Sequence, residues 1–316
     1  MRVLVTGGAG FIGSHIVEQL LREKDVQEIR VVDNLATGRM DNLQPFLSRI
    51  QLIQGDLADA AVCAKAAAGI DVIFHEAAIP SVPRSVDNPL ENHLNGAHIT
   101  ILLLEAARKA GVRRVVFAGS SSAYGDSETL PKHEGMLPQP LSPYAATKLA
   151  AEHYLAAYAK CYPLDTAVLR YFNIFGPRQD PSSPYSGVIA KFCTAYCRNE
   201  PITIFGDGEQ SRDFTFVTNA VQANIRAARC PQPLRGQVFN VGCGERFSLN
   251  QMVVALNELT GQNRVAEYKP ARAGDVKHSL ADITRARTIL GYEPTVSFKD
   301  GLAQTLAWYR TQLAAR

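Results

Sequence analysis

No stretch of the 316-residue chain stays apolar for the roughly 18 residues that a membrane-crossing helix needs. Charge of one sign is also missing. The 33 basic and 30 acidic side chains leave a net +3, without the polybasic footprint of a nucleic-acid binder. Neither a membrane nor a nucleic-acid partner is therefore expected. Cysteine is sparse and scattered, at Cys63, Cys161, Cys193, Cys197, Cys230 and Cys243, with no CxxC pair. Cys193 and Cys197 are four apart on a helical stretch but have no further ligands nearby. A metal site and a disulfide framework are both unexpected, and the thiols read as buried core groups. The opening MRVLVTGGAG reads as a strand running into a glycine loop. It is not the basic, apolar, small-residue order of an export signal, so a reducing cytoplasm is the expected location. Hydrophobic residues make up 46% and charged residues 20%, enough apolar material to exclude a disordered chain.

The apolar residues follow two alternating rhythms. Strand-like runs lie at 2–6, 29–33, 51–55, 72–77, 113–119, 166–172 and 238–241. Helical spacing fills 11–24, 57–68, 91–110 and 143–161 between them. This alternation predicts a Rossmann-like, doubly wound parallel sheet with helices on both faces. From about residue 174, glycine and proline become denser, and helices are expected near 187–199, 218–229, 248–260, 282–290 and 299–313. Ser248, Asp282 and Asp300 stand where N-caps belong. The division expected is a dinucleotide-binding domain over 1–173, with return segments near 213–245, and a smaller C-terminal α/β substrate domain over 174–316. The second part should pack directly on the first and leave a cleft.

Gly7, Gly10 and Gly13 form G-x-x-G-x-x-G between a strand and a helix, where glycine lets a pyrophosphate approach the helix N-terminus. Asp33 ends the second strand. A carboxylate there accepts hydrogen bonds from the ribose hydroxyls and repels a 2′-phosphate, which favours NAD over NADP. Asp56, closing the third strand in GDL, could meet the adenine with the backbone of Leu57. Capping the following helix is an equal alternative.

Tyr144 and Lys148 form Y-x-x-x-K behind Ser142 and Pro143, the expected N-cap and first helical residue. Four residues apart on a helix puts both side chains on one face. A tyrosine with a pKa of roughly 10 is a poor base. A neighbouring ammonium, and the positive nicotinamide, are expected to lower that value. Ser120, Ser121 and Ser122 follow the fifth strand, at the strand ends where open α/β sheets bind ligands. Ser120 is the expected partner of Tyr144, with Ser121 a close second.

With these residues in place the chain resembles the extended branch of the short-chain dehydrogenase/reductases, in particular the nucleotide-sugar epimerases. The resemblance runs through TGGAGFIGSH, DNLATG, GDL, SVPRS, SSSAYG, YAATK, RYFNIFGPR, GDGEQSRDFTFV, FNVG and RAGDV. It implies NAD as cofactor and a UDP-sugar as substrate, Tyr144 as base, and Lys148 also on the nicotinamide ribose. It implies cofactor contacts at Phe11, Ile12, Asn34, Thr37, Gly38, Ala77, Ala118 and Tyr171. Substrate contacts fall on Ser81, Ser120, Ser121, Asn173, Arg212, Arg272, Asp275 and Ser279. Arginine suits the diphosphate because its planar fork matches the phosphate oxygens. A homodimer through the helices at 91–110 and 143–161 is implied as well.

The resemblance also implies the reaction. Tyr144 takes the proton of the 4-hydroxyl while C4 gives hydride to NAD+, and the 4-keto sugar turns before hydride returns. The 4,6-dehydratases carry Asp-Glu, and the decarboxylases a Glu, where this chain has Ser121 and Ser122, so 4-epimerisation is favoured. Ser279 is small where enzymes restricted to glucose and galactose are bulky, which leaves room for an N-acetyl group. UDP-GlcNAc/UDP-GalNAc is the expected pair, with UDP-Glc/UDP-Gal also considered. The alternatives are a UDP-glucuronate 4-epimerase or decarboxylase, or a non-catalytic NAD-binding sensor. One departure is His93, which stands at the family's usual Asn position near the nicotinamide.

Overall fold

The first strand, β1 (Arg2–Thr6), is buried along all but its first residue, as a run of β-branched and apolar side chains in a covered sheet should be. The computed structural model describes residues 1–181, 187–271 and 277–314. β2 (Glu28–Asp33), β3 (Gln51–Gln54), β4 (Val72–His75), β5 (Arg114–Ser120), β6 (Asp165–Tyr171) and β7 (Gln237–Val241) complete one sheet. Its order is β7-β6-β5-β4-β1-β2-β3 and every pairing is parallel. The chain leaves β1 outward through β2 and β3, then restarts at β4 on the other side. The gap between β1 and β4 is thus the switch point where such sheets bind ligands.

Helices cover both faces. On one, α2 (Ala60–Ala67), α5 (Ile99–Lys109) and α6 (Pro143–Cys161) share a core with Leu4, Ile73, Val115 and Val168. On the other, α1 (Phe11–Leu20) and α8 (Val217–Arg229) pack with Val3, Val5, Phe74 and Leu169. That core runs on into α7 (Val188–Arg198), α9 (Leu249–Thr260) and α10 (Phe298–Ala314). The C-terminal half therefore shares its apolar interior with the sheet.

Most boundaries follow local chemistry. Ser142 Oγ accepts from Ala145 N at 3.2 Å and Pro143 opens α6. Ser248 and Gln251 form a capping box on α9. The expected helix at 57–68 starts late because Asp59, not Asp56, caps it through Ala61 N at 2.8 Å. The expected cap at Asp300 is corrected too. Asp300 lies inside the first turn, and Ser297 Oγ accepts from its backbone N–H at 3.1 Å. The stretch at 282–290 is helical from Thr284, with Asp282 Oδ1 accepting from Thr284 N at 2.8 Å, and it widens into a π-turn at Ala286–Leu290. The expected helix at 91–110 is divided into the end of α4 (Pro89–His93), a π-turn at Leu94–His98, and α5, and a further short helix, α3 (Val82–Asp87), precedes it. The extra residue per turn in a π-bulge rotates one helix face against the next, a common device at functional sites. All six thiols are free, but the core assignment holds only for Cys63, Cys193 and Cys230. Cys197 and Cys243 are half-buried and Cys161 is exposed.

The last strand is held by Arg114, which is 3% exposed. Its guanidinium donates to Asp165 at 2.6 Å and to the carbonyls of Ala227, Cys230 and Gln232 at 2.7, 2.7 and 2.8 Å. It thereby caps the C-terminus of α8 and turns the chain into β7. Arg170 and Glu152 form a second buried pair between β6 and α6 at 2.7 Å. Removing one partner of such a pair costs about 3–5 kcal/mol, because the other charge is left buried and alone.

Candidate active site

A continuous cleft of about 1400 Å³ opens at the carboxyl ends of the strands. Its first wall is the glycine loop. Gly7 has φ +66°, and a Cβ there would lie 2.8 Å from the backbone of Ala77. A Cβ on Gly13 would lie 2.3 Å from the Gly7 carbonyl oxygen. Both positions admit only glycine. No side chain caps α1, so the first N–H groups of that helix, at Phe11 and Ile12, face the cleft. That arrangement fits an anionic diphosphate.

Asp33 is 8% exposed at the end of β2. Its oxygens accept from Ala9 N at 2.9 Å and Leu35 N at 2.8 Å, which fixes the carboxylate with lone pairs to spare for a diol. Thr37 and Gly38 line the same end. Arg39 does too, but its guanidinium is paired with Asp180 across the cleft at 2.7 Å. Asp56 accepts from Ala58 N at 2.8 Å and from Asn34 Nδ2 at 3.0 Å. It therefore shapes the loop beside Leu57. The donors, the glycine cradle and this carboxylate together fit NAD.

Ser120, Tyr144 and Lys148 meet at the ends of β5 and α6 and line the cleft. Ser120 Oγ accepts from Ser122 Oγ at 2.8 Å and from Ser122 N at 3.2 Å. Its own proton is therefore left for the Tyr144 phenol, to which it is hydrogen-bonded. Lys148, 5% exposed, donates from Nζ to the carbonyl of Ala118 at 2.8 Å. Burial lowers its pKa to about 8, while Glu76 and Glu152 act to raise it. The expected lowering at Tyr144 is corrected. Burial raises the phenol's pKa and only the Ser120 bond opposes it. Desolvation is the larger of the two effects at the phenol.

Sequence reasoning missed Glu76, the residue after β4. It lines the cleft and accepts from the Tyr171 hydroxyl at 2.9 Å. Its signal was a lone acid in the apolar run VIFHEAA, where a charge at a buried strand end has no packing purpose. His93 is the converse case. It is exposed at the end of α4 and does not face the cleft. Asn95, turned inward by the π-turn, lines the cleft instead.

At the other end of the cleft stand Ser81, Ser121, Asn173, Arg212 and Ser279. Ser81 Oγ caps α3 by accepting from Arg84 N at 3.1 Å. Asn173 is held at φ 39° and donates to the Asp213 carbonyl at 3.3 Å. Asp213 itself is fully buried and accepts from Cys243 N, Gly244 N and Ala281 N at 2.8, 3.0 and 3.2 Å. This latch fixes the strand Ser211–Arg212, and Ser279 N donates to the Ser211 carbonyl at 3.0 Å. Arg272 and Asp275 lie outside the described residues.

Residues 3–242 match the NAD dependent epimerase/dehydratase family. The chain is 40% identical over 316 residues to a UDP-glucose 4-epimerase of Mycolicibacterium smegmatis, covering 99% of each chain. Among solved structures it is similar to a UDP-glucose 4-epimerase of Thermotoga maritima determined with UDP-glucose. That likeness has TM-score 0.93 and 38% identity, and covers 99% of this chain and 100% of that one. It is equally similar to a UDP-N-acetylglucosamine 4-epimerase of Methanobrevibacter ruminantium in complex with UDP-N-acetylmuramic acid, with TM-score 0.93, 39% identity and 98% of each chain covered. The glycine cradle, the Tyr144–Lys148 pair and these full-length likenesses agree: the chain belongs to the NAD dependent epimerase/dehydratase family.

Proposed function

We propose that the protein is a UDP-hexose 4-epimerase that interconverts UDP-GlcNAc and UDP-GalNAc and also accepts UDP-Glc and UDP-Gal. The observation that carries this reading is the meeting of Tyr144, Ser120 and Lys148 in one cleft, with serines rather than acids at 121 and 122. Tyr144 takes the proton of the sugar 4-hydroxyl and later returns one. Ser120 steadies the phenolate through its committed proton. Lys148 holds positive charge beside the ribose and keeps the end of β5 in place. Bound NAD+ would supply reversible hydride acceptance at sugar C4 and a positive ring that favours the phenolate. Gly7, Gly10, Phe11, Ile12, Gly13, Asp33, Asn34, Thr37, Gly38, Asp56, Leu57, Ala77, Ala118 and Tyr171 would hold the cofactor. Arg212 and Asn173 would hold the diphosphate, with Arg272 and Asp275 on the nucleotide. Ser81, Ser121 and Ser279 would border the sugar.

In this reading residues 174–316 form most of the sugar-binding lobe and 1–173 the cofactor lobe. A homodimer is proposed through the helices at 91–110 and 143–161, where Leu94 and Tyr154 are exposed, and the enzyme is assigned to the cytoplasm. A second reading, a UDP-hexuronate 4-epimerase, is favoured by one observation: Lys132, 2% exposed, lines the cleft, with its backbone paired to Leu280 next to Ser279 and its ammonium donating to the Ser127 carbonyl. Incubation with UDP-GlcNAc, UDP-Glc and UDP-glucuronate, followed by chromatography of the sugars, separates the readings. UDP-GalNAc from the first supports the main proposal. Turnover of UDP-glucuronate alone replaces it with the second, and no product from any substrate rejects both.

A further inference from the structure

The carboxyl of Glu76 stands at the end of β4, between the glycine loop and Lys148. A Cβ on Gly7 would lie 3.1 Å from the Glu76 carbonyl carbon, so the two segments touch. With Asp33 marking the adenosine end and the α1 N-terminus the diphosphate, the rest of a dinucleotide extends toward the ends of β4, β5 and β6. There Glu76, Ala118, Lys148 and Tyr171 line the same wall. We propose that Glu76 sets the balance between oxidised and reduced cofactor in this cleft: its carboxylate favours the positively charged oxidised ring, and its protonation removes that bias.

The geometry shows a carboxyl held for this purpose. Asn224 Nδ2 donates to the Tyr171 hydroxyl at 2.6 Å and to the Ala220 carbonyl at 2.9 Å. The Tyr171 proton is thereby committed to Glu76 Oε1 at 2.9 Å. Asn224 Oδ1 is buried with no partner, so the amide is arranged for donation alone. Such a chain has little packing value and a definite electrostatic one. The charged or titratable groups facing Glu76 are Lys148 from α6 and Tyr171 from β6. Asn224 on α8 is uncharged. His75 beside it on β4 is driven down to about 3 by burial and stays neutral between Thr6 and Thr100. Glu152 acts on Lys148 but is itself paired with Arg170. Burial pushes Glu76 up to about 7, against the Tyr171 bond and Lys148, so its charge changes near neutral pH.

Oxidising the sugar moves two electrons and one hydrogen from C4 to the ring and releases the hydroxyl proton through Tyr144. The sugar carbon becomes a ketone and the ring loses its positive charge. An anionic Glu76 opposes that loss and favours return of the hydride. A neutral Glu76 does not.

The test needs no sugar, so it stands or falls independently of the substrate reading. NADH bound to the purified protein is followed by its fluorescence and displaced with NAD+, which gives the ratio of the two dissociation constants. The measurement runs from pH 5.5 to 7.5 with and without Glu76→Gln. Lys148→Arg is carried in both arms, so that the neighbouring positive charge stays fixed. With Glu76 present, the preference for NAD+ should grow by about tenfold as the pH rises, the scale expected for two unit charges in a partly screened cleft. With Glu76→Gln it should stay flat at the acid value. Tyr171→Phe should keep the rise but move its midpoint to higher pH, because the bond that lowers the carboxyl is lost. A rise that persists in Glu76→Gln overturns the proposal. If that variant does not fold, an unmoved midpoint in Tyr171→Phe overturns it.

Discussion

Lys148 Nζ donates to the main-chain oxygen of Ala118 at 2.8 Å, which ties its ammonium to the end of β5 one helical turn beyond Tyr144. The lysine thus has two tasks, positive charge in the cleft and anchorage of the strand end. Burial brings its pKa to about 8. The ammonium is present below that value and lost above it. Turnover should therefore fall as pH rises through about 8 in the wild type. Lys148→Arg should abolish that alkaline limb, since a guanidinium keeps its charge. Lys148→Met should lower kcat by about 10²–10⁴-fold, the scale of a lost acid–base contribution. A pH–rate series on the three proteins checks both.

Tyr144 sits opposite Ser120, and burial holds its phenol in the protonated form. The Ser120 hydrogen bond is the force opposing that. Ser120→Ala should therefore move the acid limb of kcat to higher pH, because the phenolate loses its donor. Tyr144→Phe should remove about 10²–10⁴-fold of turnover with little change in thermal unfolding. An acid limb unmoved by Ser120→Ala would separate the serine from the base.

The sheet was legible in the sequence. All seven strand runs lie in it within about two residues of their observed ends, because buried parallel strands are continuous apolar runs that little else imitates. The glycine loop, Asp33 and the Tyr144–Lys148 pair were legible for the same reason: each lies at a strand end or helix start that local signals mark. The failures are instructive. His93 stands at the family's usual Asn position by motif, but motif order does not encode the π-turn at Leu94–His98, beside which His93 is exposed while Asn95 lines the cleft. The phenol's shift was read from its neighbour four residues on, whereas its sign is decided by burial, which no local spacing encodes. Glu76 and the Arg39–Asp180 pair needed the tertiary fold, since 141 residues separate the latter two.

That pair bridges the cofactor end of the cleft. Arg39 follows the loop below Asp33, and Asp180 comes from the chain beyond β6. Their 2.7 Å contact joins side chains 45% and 35% exposed. Such a pair adds at most about 1 kcal/mol to stability. Its position over the cofactor path matters more. Asp180→Asn should leave the melting temperature within about 2 °C and speed dissociation of bound NAD several-fold, measured by dilution into a scavenger of free NAD. An unchanged off-rate would reduce the contact to a surface ion pair.

Ser279 borders the cleft opposite the serine turn, and its backbone N–H is fixed on the Ser211 carbonyl at 3.0 Å. The backbone there is held by the Asp213 latch, so a larger side chain cannot be relieved by moving the strand. Ser279→Tyr should fill the space beside the sugar. Overpacking a fixed site costs about 1–3 kcal/mol, which converts to about 5–150-fold in kcat/KM. The loss should fall on UDP-GlcNAc and UDP-GalNAc and spare UDP-Glc and UDP-Gal, which lack the N-acetyl group. Parallel kcat/KM values for the two pairs test this directly. Equal losses for both would mean that the tyrosine disturbs the diphosphate grip of Arg212 on the neighbouring strand. Undiminished N-acetyl turnover would mean that Ser279 does not border that group.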